Sequence, residues 1–170
     1  MKIVLIVICG VTLLAAAVVV IGSLVPKAHV ASRSASYRAT PEQLFSLIEG
    51  PHNWRPEVLH SETVPDAAGR KLIRETTRDG KTVTYEVLES APPTSIKRRI
   101  ATENLPYSGT WTYSLRPDGQ STTVRITENG EVYNPVFRFV SRFVLGHNQT
   151  IDAYLRALGT ATREEVQVKE

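Results

Sequence analysis

One cation and one carboxylate stand where alternating strand patterns put apolar side chains. In Ser95 to Thr102, Arg98 shares a face with Ile96 and Ile100; in Thr122 to Tyr133, Glu128 shares a face with Val124 and Ile126. Side chains alternate between the two faces of a strand, so each charge points inward with its apolar set. A guanidinium and a carboxylate so placed either neutralise each other or grip the polar end of a ligand. Buried charges are usually paired, which favours a structural Arg98–Glu128 pair.

The same parity turns Tyr85 inward beside Val83 and Val87, and Trp111 and Tyr113 inward beside Leu115. Their polar tips can orient a ligand, although core packing is the commoner role of aromatic residues at this spacing. Tyr107 and Tyr133 carry the same double reading. Trp54, Tyr85, Arg98, Trp111, Tyr113, Glu128 and Phe143 are therefore the candidate ligand-binding residues. No residue is assigned a catalytic role: Glu128 alone suits acid–base work, and nothing supplies a clear second partner.

Other chemistries find no footing. His29, His52, His60 and His147 are scattered without metal-ligand spacing, and His147 on an apolar helical face reads as a satisfied core histidine. The single cysteine, Cys9, lies in an apolar segment, so the folded part has neither an internal disulfide nor a thiolate zinc site. Without a nucleophile elbow, a phosphate-cradling loop or a dinucleotide fingerprint, no metal or cofactor is expected. A net charge of +3 with one short run, Lys97 to Arg99, does not indicate a nucleic-acid partner.

The elements that would position these residues follow from period and punctuation. A first strand surrounds Ala35 and Tyr37, and Thr40-Pro-Glu-Gln43 is a capping box opening a short helix that stops at Gly50-Pro51. Six strands come next: Val58 to Val64, Lys71 to Arg78, Thr82 to Glu89, Ser95 to Thr102, Gly109 to Arg116, and Thr122 to about Tyr133. Turn signals such as Asp79-Gly80 and Pro117-Asp-Gly119 separate them, which implies an antiparallel meander. From Asn134-Pro135 to Leu158, apolar residues recur at helical spacing, with Gly146 marking a bend or break and Gly159 suiting a C-terminal cap. This long amphipathic helix is expected to lie in the concave face of the meander. The tail, 161–170, is polar and expected to fray.

Ahead of all this, Ile3 to Val25 is a charge-free stretch of about 23 residues, long enough for a hydrocarbon core of about 30 Å. A cleaved signal peptide usually has an apolar region of only about 7 to 15 residues, so a single-pass membrane anchor over residues 1–26 is the expectation, followed by one domain over 27–160.

The order of elements is that of the helix-grip fold, an α+β design in which a curved antiparallel sheet wraps a C-terminal helix. Ser36-Tyr-Arg-Ala-Thr-Pro-Glu42, His52-Asn-Trp-Arg-Pro56, Gly109-Thr-Trp-Thr-Tyr113 and Thr127-Glu-Asn-Gly-Glu-Val-Tyr-Asn-Pro135 resemble the polyketide cyclase/dehydrase and lipid-transport branch of the START-like (SRPBCC) superfamily, over about residues 28 to 159. The resemblance implies a ligand cavity between sheet and helix. It leaves three functions: a membrane-tethered carrier or sensor of an apolar, lipid-like molecule, which is favoured; a polyketide cyclase or aromatase; and a tethered protein-interaction module.

Overall fold

The computed structural model describes residues 2–170, in which seven strands form one antiparallel sheet ordered β1-β7-β6-β5-β4-β3-β2. They are β1 Ala28–Tyr37, β2 Val58–Val64, β3 Leu72–Thr77, β4 Thr82–Ala91, β5 Ser95–Ile100, β6 Tyr107–Asp118 and β7 Ser121–Val132. From β2 to β7 each strand pairs with its sequence neighbour, as the turn signals require, and β1 is added beside β7. Gly80 and Gly119 turn two of the hairpins at φ 83° and 60°, conformations that glycine alone adopts without steric cost.

Four α-helices accompany the sheet: α1 Lys2–Leu24, α2 Pro41–Glu49, α3 Pro135–Val140 and α4 Gln149–Ala161. The capping box opens α2, with the Thr40 hydroxyl accepting from the Gln43 amide and the Gln43 side chain accepting from the Thr40 amide. Leu44 and Ile48 of α2 and Ile151, Tyr154, Leu155 and Leu158 of α4 pack against Ile96, Leu115, Val124 and Ile126 of the sheet. This is the helix-grip arrangement, with α4 as the gripped helix.

The long helix expected from Asn134 to Leu158 is divided. After α3 the chain makes a π-helical turn, Ser141–Leu145, and then breaks at Gly146, whose φ of 75° lies outside any right-handed helix. Of the two C-terminal helices, α4 packs into the core on the sheet's concave face, and α3 packs beside α1. Gly159 is not a cap either. It lies inside α4, where a Cβ would stand 2.8 Å from the Glu164 carbonyl oxygen, because the returning chain crosses there.

That returning chain differs from the frayed tail expected. Ser34 and Lys169 exchange backbone hydrogen bonds of 2.9 and 2.8 Å, Glu164 accepts from the Arg38 and Ala39 amides, and Val166 and Val168 pack against the core. The alternating apolar residues of the tail find an open edge at β1, and edge pairing orders them.

Candidate functional site: a cavity under the C-terminal helices

Between the inner face of the sheet and the chain from α3 to α4 lies a cavity of about 560 Å³, lined by Tyr85, Arg98, Trp111, Tyr113 and Glu128 among others. The strand register explains why these meet. Arg98 on β5 faces Trp111 on β6, which in turn faces Glu128 on β7, so the three side chains form a row across the sheet. One step along the strands, Ile96, Tyr113 and Ile126 form the next row.

The row also overturns the expected Arg98–Glu128 pair. Trp111 stands between them, and two strand spacings of about 4.8 Å separate their backbones. Each charge has other neighbours.

Arg98 belongs to a polar network at the closed end of the cavity. One terminal nitrogen donates to His52 Nε2 at 2.8 Å and the other to the Ile48 carbonyl, while Nε has no partner among the described residues. His52 Nδ1 lies 2.5 Å from Glu75 Oε1, and Arg55 donates to Glu75 Oε2 at 3.2 Å. The neutral imidazole with Nδ1–H donating to Glu75 lets Nε2 accept from Arg98 and from the Tyr154 hydroxyl 3.2 Å away, and leaves the Ile48 carbonyl, 3.0 Å from Nε2, to accept from Arg98. His52, Glu75 and Arg98 are each no more than 3% exposed. Burial, with the Arg98 charge, pushes His52 below its ordinary value and outweighs the pull of Glu75. Burial alone would raise Glu75, but the His52 hydrogen bond and the Arg55 and Arg98 charges hold it below the usual carboxylate range. Tyr154 of α4 seals this end, its ring 5.5 Å from His52 and 5.0 Å beneath the Arg55 guanidinium carbon.

The opposite end is built on β1 and the Gly146 break. His29 and His147 stack with ring centroids 3.9 Å apart, and His29 Nε2 lies 3.9 Å from Glu128 Oε1. His29 pairs in register with Gly130, where a Cβ would come within 2.4 Å of the imidazole, so the absent side chain is what lets the ring lie flat. Burial raises the Glu128 carboxyl and lowers His29, the latter aided by His147, so each shift favours the neutral form. The Nδ1 atom of His29 is buried and has no partner among the described residues.

Two candidates lie outside the cavity wall. The Trp54 indole donates to the Leu47 carbonyl at 3.1 Å and its ring meets Tyr154 edge-on, so it supports the core behind the network. Phe143 is 60% exposed and touches Phe139, because the π turn swings it away from the sheet. Tyr133 is exposed and hydrogen-bonded to Ser108 and Glu131, whereas Tyr107 borders the cavity. His29, His52, Arg55, Glu75 and His147 are cavity residues absent from the candidate set. Glu75 shares a face with Ile73 just as Arg98 does with Ile96, so parity on β3 carried its signal; His52 and Arg55 stood in the His52-Asn-Trp-Arg-Pro56 motif, whereas His29 and His147 carried none, being brought together only by the fold of β1 and the Gly146 break. Among the described residues no group of three His, Cys, Asp or Glu side chains could hold a metal ion.

Comparison with known proteins agrees with this architecture. A START superfamily protein from Mycobacterium smegmatis superposes with a TM-score of 0.63 at 17% identity, over 79% of this chain and 97% of its own. Norcoclaurine synthase from Thalictrum flavum gives 0.61 at 12% identity, over 85% and 92%. The same enzyme in complex with dopamine and hydroxybenzaldehyde gives 0.59 at 13%, over 84% and 91%. Identities this low establish the shared fold alone. A search of curated protein sequences returned no match. The family profile described as polyketide cyclase / dehydrase and lipid transport matches residues 28–161, the whole sheet together with α2, α3 and α4, and the chain therefore belongs to that family.

Proposed function

We propose that the domain holds one apolar small molecule bearing a polar group, as a carrier or sensor tethered to a membrane by α1. The observation that carries this reading is the cavity. Its wall joins the aromatic side chains of Tyr85, Trp111, Tyr113 and Phe137 to two polar clusters, one around Arg98 and His52 and one around His29 and Glu128. Such a distribution suits an elongated amphiphile, with shape excluding water and a few placed donors fixing orientation. The family's association with lipid transport supports it.

The tether rests on α1, 23 residues with a mean hydropathy of 3.2 over its most apolar window, none of that window buried by the domain. A signal sequence passes the same test of length and composition. Its length beyond a usual signal core supports an anchor over residues 1–26, with the binding domain over 27–160. The chain of residues 1–170 should remain in the membrane fraction after carbonate washing; a soluble product beginning near residue 30 contradicts the tether.

A second reading has one observation in its favour. Glu128 and His29, 3.9 Å apart inside the cavity, are shifted toward their neutral forms, which suits proton transfer to a bound carbonyl compound in a cyclase-type enzyme. The two readings separate on Glu128→Gln, which should leave ligand retention within about twofold for a carrier but remove turnover of an enzyme about 100-fold or more. Saturable binding of an apolar fluorescent probe by the full chain in lipid nanodiscs, weakened by Tyr113→Ala, is the direct test of the cavity's role.

A further inference from the structure

The segment that closes one side of the cavity also exposes a run of large apolar side chains. Phe143, Val144 and Leu145 are consecutive and 60, 67 and 50% exposed, and Phe137 on α3 is 49% exposed. Phe137 and Leu145 border the cavity as well, so the same residues face the ligand space on one side and the surroundings on the other. Contiguous exposed apolar surface of this kind marks an interaction site.

The position of α1 identifies the partner. Gly22 meets α3 so closely that a Cβ there would stand 2.0 Å from the Pro135 carbonyl oxygen. Arg138, which is buried, donates to the Val25 carbonyl at 2.8 Å, tying α3 to the residue just after α1. The segment is thus held beside the last turn of α1. At about 1.5 Å per residue, the 23 residues of α1 reach about 34 Å, slightly beyond a hydrocarbon core of about 30 Å. Its last turn then lies in the interfacial layer, the depth at which amphipathic segments rest on a bilayer. The exposed Arg142 directly precedes the apolar run and the exposed Lys27 lies three residues beyond α1, and both suit the anionic headgroups of that layer.

Resting on the anchor reading above, we infer that Pro135–Gly146 is embedded in the interface of the bilayer that α1 crosses. The cavity mouth then opens onto lipid, and the ligand passes between bilayer and cavity without crossing water. Shared position beside α1, exposed apolar side chains and cavity lining coincide on this one stretch of chain.

The test uses the full chain in phosphatidylcholine vesicles, with Cys9→Ala as background and a nitroxide attached at Leu14→Cys, Val144→Cys or Asp79→Cys in turn. Relative collision with oxygen and with a water-soluble nickel chelate reports depth. Leu14 and Val144 should both favour oxygen, with Val144 the shallower, and Asp79 in the β3–β4 turn should favour nickel. If Leu14 favours nickel, the anchor reading itself falls. If Leu14 favours oxygen and Val144 matches Asp79, the anchor stands and this inference is overturned; Phe143→Cys repeats the measurement should the Val144 label disturb the fold. For the route of entry, Val144→Asp should slow transfer of parinaric acid from vesicles to protein about tenfold, and an unchanged rate overturns the lipid-facing mouth.

Discussion

Arg98, His52, Glu75 and Arg55 form a chain of hydrogen bonds in which each buried charge depends on the next, so their removal should not be equivalent to removal of an exposed residue. Glu75→Gln leaves Arg55 and His52 short of an acceptor and should cost about 3 to 5 kcal/mol of unfolding free energy, measured by denaturant titration. Glu128→Gln, at a site already favouring the neutral form, should cost about 1 kcal/mol or less. A double-mutant cycle on Arg98 and Glu128 should show additivity, because Trp111 separates them; a coupling above about 1 kcal/mol would contradict the observed register. The network also sets a pH dependence. His52 has a folded value below its ordinary 6.5, so from about pH 6.5 downward the unfolded chain binds a proton that the folded chain refuses, and stability falls with pH. Burial of His29 and His147 acts in the same sense, and Glu75, held below 4.5, extends the loss in more acid solution. The thermal midpoint should be level above pH 7 and decline below 6.5, with a shallower decline in His52→Gln. Period-two parity was enough to turn Tyr85, Arg98, Trp111, Tyr113 and Glu128 inward. It could not say which inward charges meet, since partners across a curved sheet depend on strand order and on what stands between them.

At the scale of elements, the strands were readable because hairpin turns carry their own chemistry, and β5 and β7 begin within a residue of the expected positions. The division of the C-terminal helix was half readable. Gly146 announced a break, but helical periodicity is the same whether a segment packs on the sheet or on α1, and only the close approach of Gly22 to Pro135 separates the two. The ordered tail was not readable, since Glu164-Glu-Val-Gln-Val168 is strand-like only when an edge is offered. Its contribution can be measured. Ending the chain after Arg163 removes the Ser34–Lys169 pairing, the Glu164 contacts with Arg38 and Ala39, and two packed valines, and should lower stability by about 2 to 4 kcal/mol. A loss below about 0.5 kcal/mol would mean that the tail merely rests on β1.

The whole molecule joins three parts: a sheet that presents a row of polar and aromatic side chains, a C-terminal region split so that α4 packs on the sheet while α3 borders the cavity beside α1, and an apolar helix long enough to cross a membrane. Family membership shows the fold and leaves open what occupies the cavity, because one scaffold serves many ligands. Occupancy is therefore the decisive observable. The unmodified chain and its Ile100→Trp variant, in which an indole replaces a side chain of the cavity wall, should be purified side by side in mild detergent and their organic extracts compared by mass spectrometry. One apolar species with a polar group should be found, near one per chain in the unmodified protein and reduced at least tenfold in the variant. An equal amount of the same species on both proteins, or no bound molecule on a correctly folded unmodified chain, would contradict a ligand-holding cavity.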